Sequence, residues 1–125
     1  MLRVLVVDDR VDFRQAFAAV LDAQPDLEVV AQAGSLAEAR HMLEGGVDVA
    51  LLDRHLPDGD GLKLMWPLRE ANHNARVFVM SATAEMSHPE DAIEAGADGV
   101  IDKLAPFERM FALIRGDGGG QGAFY

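Results

Sequence analysis

Hydrophobic positions along this chain follow two alternating rhythms. Leu2 to Val7 is a nearly continuous apolar run, without the alternation of a half-exposed strand, and it predicts a central strand buried on both faces. Asp8 and Asp9 end it. From Val11 the rhythm becomes helical, with Phe13, Phe17, Val20 and Leu21, until Gln24 and Pro25 stop it after about Ala23. A second strand is predicted over Leu27 to Ala31 and closed by Gly34. Ser35 and Glu38 then form a capping-box pair, and Gly45 and Gly46 end the helix it opens.

The third run, Val47 to Leu52, stops at Asp53, and a loop rich in Pro, Gly and Asp follows through Gly61. Leu62, Met65 and Leu68 return to helical spacing up to Ala71. Pro67 lies inside that stretch, lacking an amide proton, so a kink or a shortened helix is expected there. Arg76 to Met80 is a fourth strand ending at Ser81. Ser87 with Glu90 suggests another capping box ahead of Ile93, with Gly96 as the helix's C-terminal cap. Gly99 to Ile101 is a short fifth strand leading to Asp102 and Lys103. Pro106 opens a last helix that ends at Arg115 and Gly116.

Five strands alternating with five helical segments predict an α/β domain, a parallel sheet covered on both faces, over residues 1–115. Residues 116–125 hold five of the chain's 12 glycines and are expected to form a flexible tail or linker without packed structure. In open parallel sheets ligands bind beyond the carboxyl ends of the strands. The residues to examine are therefore Asp8, Asp9, Asp53, Ser81 and Lys103.

Composition narrows what those residues do. The chain has 125 residues, half of them hydrophobic and 26% charged, as expected for one globular domain. Without cysteine it has neither a disulfide framework nor a thiolate zinc site, which favours a cytoplasmic location. No run reaches membrane-spanning length, and the first residues turn acidic too soon for a signal peptide. Against 11 basic residues stand 21 acidic ones, a net charge of −10, so direct nucleic-acid binding by this domain is not expected.

Carboxylates gathered at one sheet edge repel each other unless a cation is present. Oxygen donors without clustered His or Cys favour magnesium over zinc. Asp53 is the best nucleophile of the set, since a carboxylate can accept a phosphoryl group. Lys103 and the Ser81 hydroxyl would meet the transferred oxygens. Taken singly, each has an ordinary alternative: Asp8 and Asp9 as helix caps, Ser81 as a turn hydroxyl, Lys103 as a surface lysine.

In combination, the acidic pair Asp8-Asp9, the loop Asp53-x-x-Leu56-Pro57-x-x-x-Gly61, Ser81-Ala82, the run Ala95 to Gly99 and Lys103 resemble the receiver domains of two-component response regulators over residues 2 to 115. The resemblance implies a flavodoxin-like (βα)5 doubly wound sheet of strand order 2-1-3-4-5. It implies phosphorylation of Asp53 by a sensor histidine kinase, with Mg2+ held by Asp9, Asp53 and the His55 carbonyl, and Asp8 acting largely through water. Lys103 would contact the phosphoryl group, Ser81 would move toward it, Ala82 would leave the pocket open, and His55 with Thr83 would tune the lifetime of the phosphoaspartate. The face of the fourth helix, fifth strand and fifth helix would form a homodimer or dock an output element, most simply a transcriptional one.

Other readings are a stand-alone receiver acting by protein–protein contact, a receiver that works without phosphorylation, a flavin or nucleotide binder, and a haloacid-dehalogenase-type phosphatase. The complete acidic set argues against the unphosphorylated receiver. The flavin reading lacks a glycine-rich loop after the first strand. The phosphatase reading lacks a second Asp at the position held by His55. Two positions depart from the resemblance: Leu104 follows Lys103 where many receivers have Pro, and Val100 stands where a switch Tyr or Phe is common. Trp66 is expected to pack, Met110, Phe111, Leu113 and Ile114 to be mostly core, and His41, His73 and His88 to be solvated.

Overall fold

The computed structural model of the chain describes residues 1–82, 89–116 and 123–124. Five strands alternate with five helices: β1 Leu2–Val7, α1 Val11–Asp22, β2 Leu27–Ala33, α2 Leu36–Arg40, β3 Val49–Asp53, α3 Met65–Ala71, β4 Arg76–Ser81, α4 Pro89–Glu94, β5 Gly99–Asp102 and α5 Phe107–Arg115. All pair in parallel, in the order β2-β1-β3-β4-β5. This is the expected doubly wound, flavodoxin-like topology. Among the described residues no helix is long and apolar enough to cross a membrane.

Strand periodicity divides the core in two. Leu5, Val7, Ala50, Leu52, Val77, Val79 and Val100 pack with residues of α2, α3 and α4. Their neighbours Val4, Val6, Val49, Leu51, Phe78, Met80 and Ile101 pack with Phe17 and Leu21 of α1 and Met110, Leu113 and Ile114 of α5. Successive side chains on a strand point to opposite faces, so unbroken apolar strands are what a sheet covered on both sides requires.

Several elements differ from their sequence expectations for identifiable reasons. β2 runs on to Ala33, and its register against β1 skips one residue between Val29 and Ala31, which absorbs the extra length at the sheet edge. α2 stops at Arg40, earlier than Gly45. Its capping box forms with one change: Ser35 Oγ accepts from Glu38 N at 3.1 Å, while Glu38 Oε1 accepts from Gly34 N at 2.7 Å rather than from Ser35.

Pro67 is accommodated by the start of its helix. Gly61–Leu64 forms a 3-10 turn, and the α-helix begins at Met65, placing Pro67 in the first turn, where an amide proton has no intrahelical partner to lose. Trp66, expected to pack, is 75% exposed on this turn. Ala123 and Phe124 pair in parallel with Gly99 and Val100 at the outer edge of β5. Thr83, Ser87 and His88, singled out above, lie outside the described residues.

Long-range polar contacts fasten the helices. The Arg76 guanidinium donates to the carbonyls of Ile114, at 2.5 Å, and Leu113, at 2.7 Å, satisfying the last turn of α5. Arg115 grips both Asp26 oxygens, at 2.6 and 2.8 Å, and Gln24 Oε1 at 2.9 Å. Asp98, in the Ala95-to-Gly99 run, accepts from Arg69 Nη2 at 2.9 Å and Val77 N at 2.8 Å, joining α3 to the start of β4.

Candidate functional site

Convergence at the carboxyl edge of the sheet follows from strand parity. Asp8, Asp53 and Lys103 each stand two residues beyond a core residue of the α1–α5 face, namely Val6, Leu51 and Ile101. A period of two therefore sends all three side chains to one side of neighbouring or near-neighbouring strands. Lys103 Nζ lies 2.7 Å from Asp8 Oδ2 and 3.1 Å from Asp53 Oδ2. Asp8 is fully buried and Asp53 only 3% exposed.

Asp8 is not a helix cap. Its Oδ1 accepts from Arg10 N at 2.9 Å, its backbone carbonyl accepts from Arg14 Nη1 at 2.8 Å, and α1 starts without a side-chain cap at Arg10. Asp8 Oδ2 is buried and paired with the Lys103 ammonium at 2.7 Å. Asp53 Oδ1 accepts from His55 N at 3.0 Å, and Oδ2 accepts from Lys103.

Burial pushes the Asp53 carboxyl above its ordinary pKa. The His55 amide and the Lys103 ammonium pull the other way, and the Asp8 charge adds to the upward push. For Lys103, burial is the largest single influence and would lower the ammonium's pKa, but Asp8 and Asp53 together outweigh it and hold it above the ordinary lysine value. Lys103 therefore stays charged between the carboxylates.

Asp8, Asp9 and Asp53 each offer one oxygen, all within 4.8 Å of one another, with Asp9 exposed at the rim. Three carboxylates that bring oxygens together in this way form an all-oxygen donor set, which fits a hard divalent cation. Ser81 ends β4 one residue beyond Met80, the partner of Asp53 in the ladder, and is buried. Its carbonyl accepts from Lys103 N at 3.0 Å. Ala82 follows it, partly buried. His55 is exposed directly after the site, and Leu104, also exposed, follows Lys103. Val100 is buried in the α2–α4 core, with no aromatic ring at its position to turn.

The loop after Asp53 is tightly built. Gly61 N donates to the Arg54 carbonyl at 2.8 Å, and a Cβ on Gly61 would stand 2.2 Å from the Asp53 carbonyl oxygen, so only glycine fits. His55–Leu56 and Gly59–Asp60 form a small antiparallel ladder. Sequence reasoning missed two ties of this loop. Asp58 accepts from Leu36 N at 2.8 Å and Ala37 N at 3.1 Å, joining the loop to the start of α2, and these amides hold its carboxyl below its ordinary pKa. Arg54 reaches Asp60 at 3.2 Å and Asp91 of α4 at 3.5 Å. The ties to Leu36, Ala37 and Asp91 join positions more than 20 residues apart, which no local pattern announces.

Comparison with known proteins agrees with this fold. The family model of the response regulator receiver domain matches residues 4–115. The DNA-binding transcriptional activator DevR/DosR of Mycobacterium tuberculosis is 34% identical over 122 residues, which is 97% of this chain and 56% of that protein. A response regulator from Burkholderia pseudomallei, whose crystal structure holds a phosphorylated aspartic acid, a calcium ion and citrate, superposes with a TM-score of 0.80 at 28% identity, covering 91% of this chain and 66% of that one. The beryllofluoride-activated NtrC4 receiver domain dimer gives 0.78 at 28% identity, covering 94% and 96%. The chain thus spans little more than half the length of the curated relative described here.

Proposed function

Because the chain belongs to the response regulator receiver domain family, we propose that it is switched by phosphorylation of Asp53. The observation that carries this reading is the contact of one buried lysine, Lys103, with two buried carboxylates, Asp8 and Asp53, beside an exposed third, Asp9. A carboxylate oxygen of Asp53 attacks the phosphorus of a phosphohistidine. The P–N bond breaks with its electron pair going to the imidazole nitrogen, and an acyl phosphate forms on Asp53. Lys103, already charged and 3.1 Å from Asp53 Oδ2, turns an N–H toward the transferred oxygens. The Ser81 hydroxyl supplies a further donor, and Ala82 leaves room for the phosphoryl group.

Asp8, Asp9, Asp53 and the His55 carbonyl would hold magnesium, whose charge offsets that of the phosphoryl oxygens when bound. Water then attacks the phosphorus, the P–O bond to Asp53 breaks with its electron pair going to the carboxylate, and inorganic phosphate leaves, with His55 and Thr83 setting how readily water reaches it. The phosphodonor is a sensor histidine kinase of the cytoplasm. Val11, Leu104 and Phe107 are exposed apolar residues beside Asp9, Lys103 and the start of α5, and they suit the docking of its helices.

Output passes through α4, β5 and α5, to a partner, a second copy or an attached domain. A transcriptional output is favoured by the likeness to DevR/DosR, described as a DNA-binding transcriptional activator. The chain incubated with acetyl phosphate and magnesium should gain one phosphoryl mass, and Asp53→Asn should gain none. An unmodified wild-type mass would sink the proposal.

A further inference from the structure

Lys103 has a third neighbour besides its carboxylates. Its Nζ stands 5.0 Å from the centroid of the Phe13 ring, on α1. The Lys103 side chain is only 8% exposed, so this contact lies in a desolvated setting where a cation and a ring face attract strongly. Phe13 begins a series of stacked rings between α1 and α5: Phe13–Phe17 at 5.5 Å, Phe17–Phe107 at 6.1 Å and Phe107–Phe111 at 6.2 Å. The Arg115 guanidinium covers the far end, 5.5 Å from Phe111.

We propose that Phe13 is a positioning residue for phosphoryl transfer, its ring face fixing where the Lys103 ammonium sits beside Asp53. The inference rests on the reading of Asp53 as the acceptor. A lysine has a flexible four-carbon stem and three N–H donors that rotate freely, so ion pairs with two carboxylates do not by themselves fix its orientation. A ring face 5.0 Å away adds attraction without forming a directional hydrogen bond. All three donors then stay available for oxygen, and none must be released from the ring when the phosphoryl group arrives. The stack behind Phe13 holds that ring in place and links it to α5.

Phe13 also packs against the α1–α5 core, and a purely packing role would depend on the ring's shape alone. Fluorinated phenylalanines separate the two roles, since they keep the shape and progressively weaken the face's negative potential. In the full chain, replacing Phe13 by mono-, di- and trifluorophenylalanine should slow phosphorylation by acetyl phosphate stepwise, to about a tenfold loss. Phe13→Leu should be similarly slow and Phe13→Trp should restore the rate. Without any phosphodonor, the Lys103 side-chain protons should show an upfield ring-current shift by NMR that Phe13→Leu abolishes. Equal rates across the fluorinated series, or a Lys103 shift that Phe13→Leu does not move, overturns the proposal. A wild type that shows the shift but takes up no phosphoryl group overturns instead the reading of Asp53, and with it any role of Phe13 in transfer.

Discussion

Gly61 and the Asp53 carbonyl approach so closely that a β-carbon between them would stand 2.2 Å from the oxygen. The neighbour is backbone rather than a flexible side-chain end, so relief requires the strand end or the loop to move. Gly61→Ala should therefore cost about 1–3 kcal/mol of stability. It should also impair phosphorylation in the fraction that folds, because the displaced backbone carries the acceptor. Thermal unfolding and phosphoryl uptake, measured on one preparation, check both; a variant indistinguishable from wild type in each would contradict the close approach.

Asp53 burdens the fold. A carboxyl whose folded pKa is raised binds more protons folded than unfolded between about 3.9 and its folded value, so stability falls as pH rises through that window and stays reduced above it. With a chelator at pH 7, Asp53→Asn should melt at a higher temperature than wild type. Adding magnesium should stabilise wild type more than the variant, approaching about 2.7 kcal/mol at a hundredfold excess over the dissociation constant. Calorimetry with and without the ion is the measurement.

Arg115 sets the opposite pH behaviour at Asp26. Its hydrogen-bonded guanidinium, the largest influence, holds the Asp26 carboxyl below its ordinary pKa. That contribution is complete above the unfolded value of about 3.9 and is lost as pH falls through the lowered folded value. Arg115→Ala should lower stability at pH 7, and the gap from wild type should close under acid. A gap that stays constant down to low pH would argue against the pair as its source.

His55 is exposed, and its structural duty toward Asp53 is carried by its backbone amide. His55→Ala keeps that amide and should alter the decay of the phosphorylated form several-fold. Time courses of phosphoryl loss by intact mass decide this, with unchanged decay removing His55 from the rate-tuning set.

Much of this arrangement was legible because strand parity is a local property. Apolar runs ending in Asp8, Asp53 and Lys103 place chemistry at one sheet edge before any coordinate is known, and the Ser35–Glu38 cap announces α2. Less legible was whatever depends on partners distant in the chain. Pro67 marked a shortened helix, yet only packing decides that the shortening comes at the start and leaves Trp66 outside. The pairing of Ala123 with Gly99 depends on an open sheet edge, which glycine content does not reveal. Phe13 reads as one more apolar helix position until Lys103 is seen above it.

The clamps at the end of α5 also decide where movement can begin. Arg115 binds the turn before β2 while Arg76 holds the carbonyls of Leu113 and Ile114, so the helix's last turn is fastened at the amino edge of the sheet, opposite the acidic cluster. With that end fastened and the Phe107 end starting four residues after Lys103, α5 resembles a lever with its pivot at the far end. A small displacement near Lys103 would swing the near end most and leave Arg115 nearly in place.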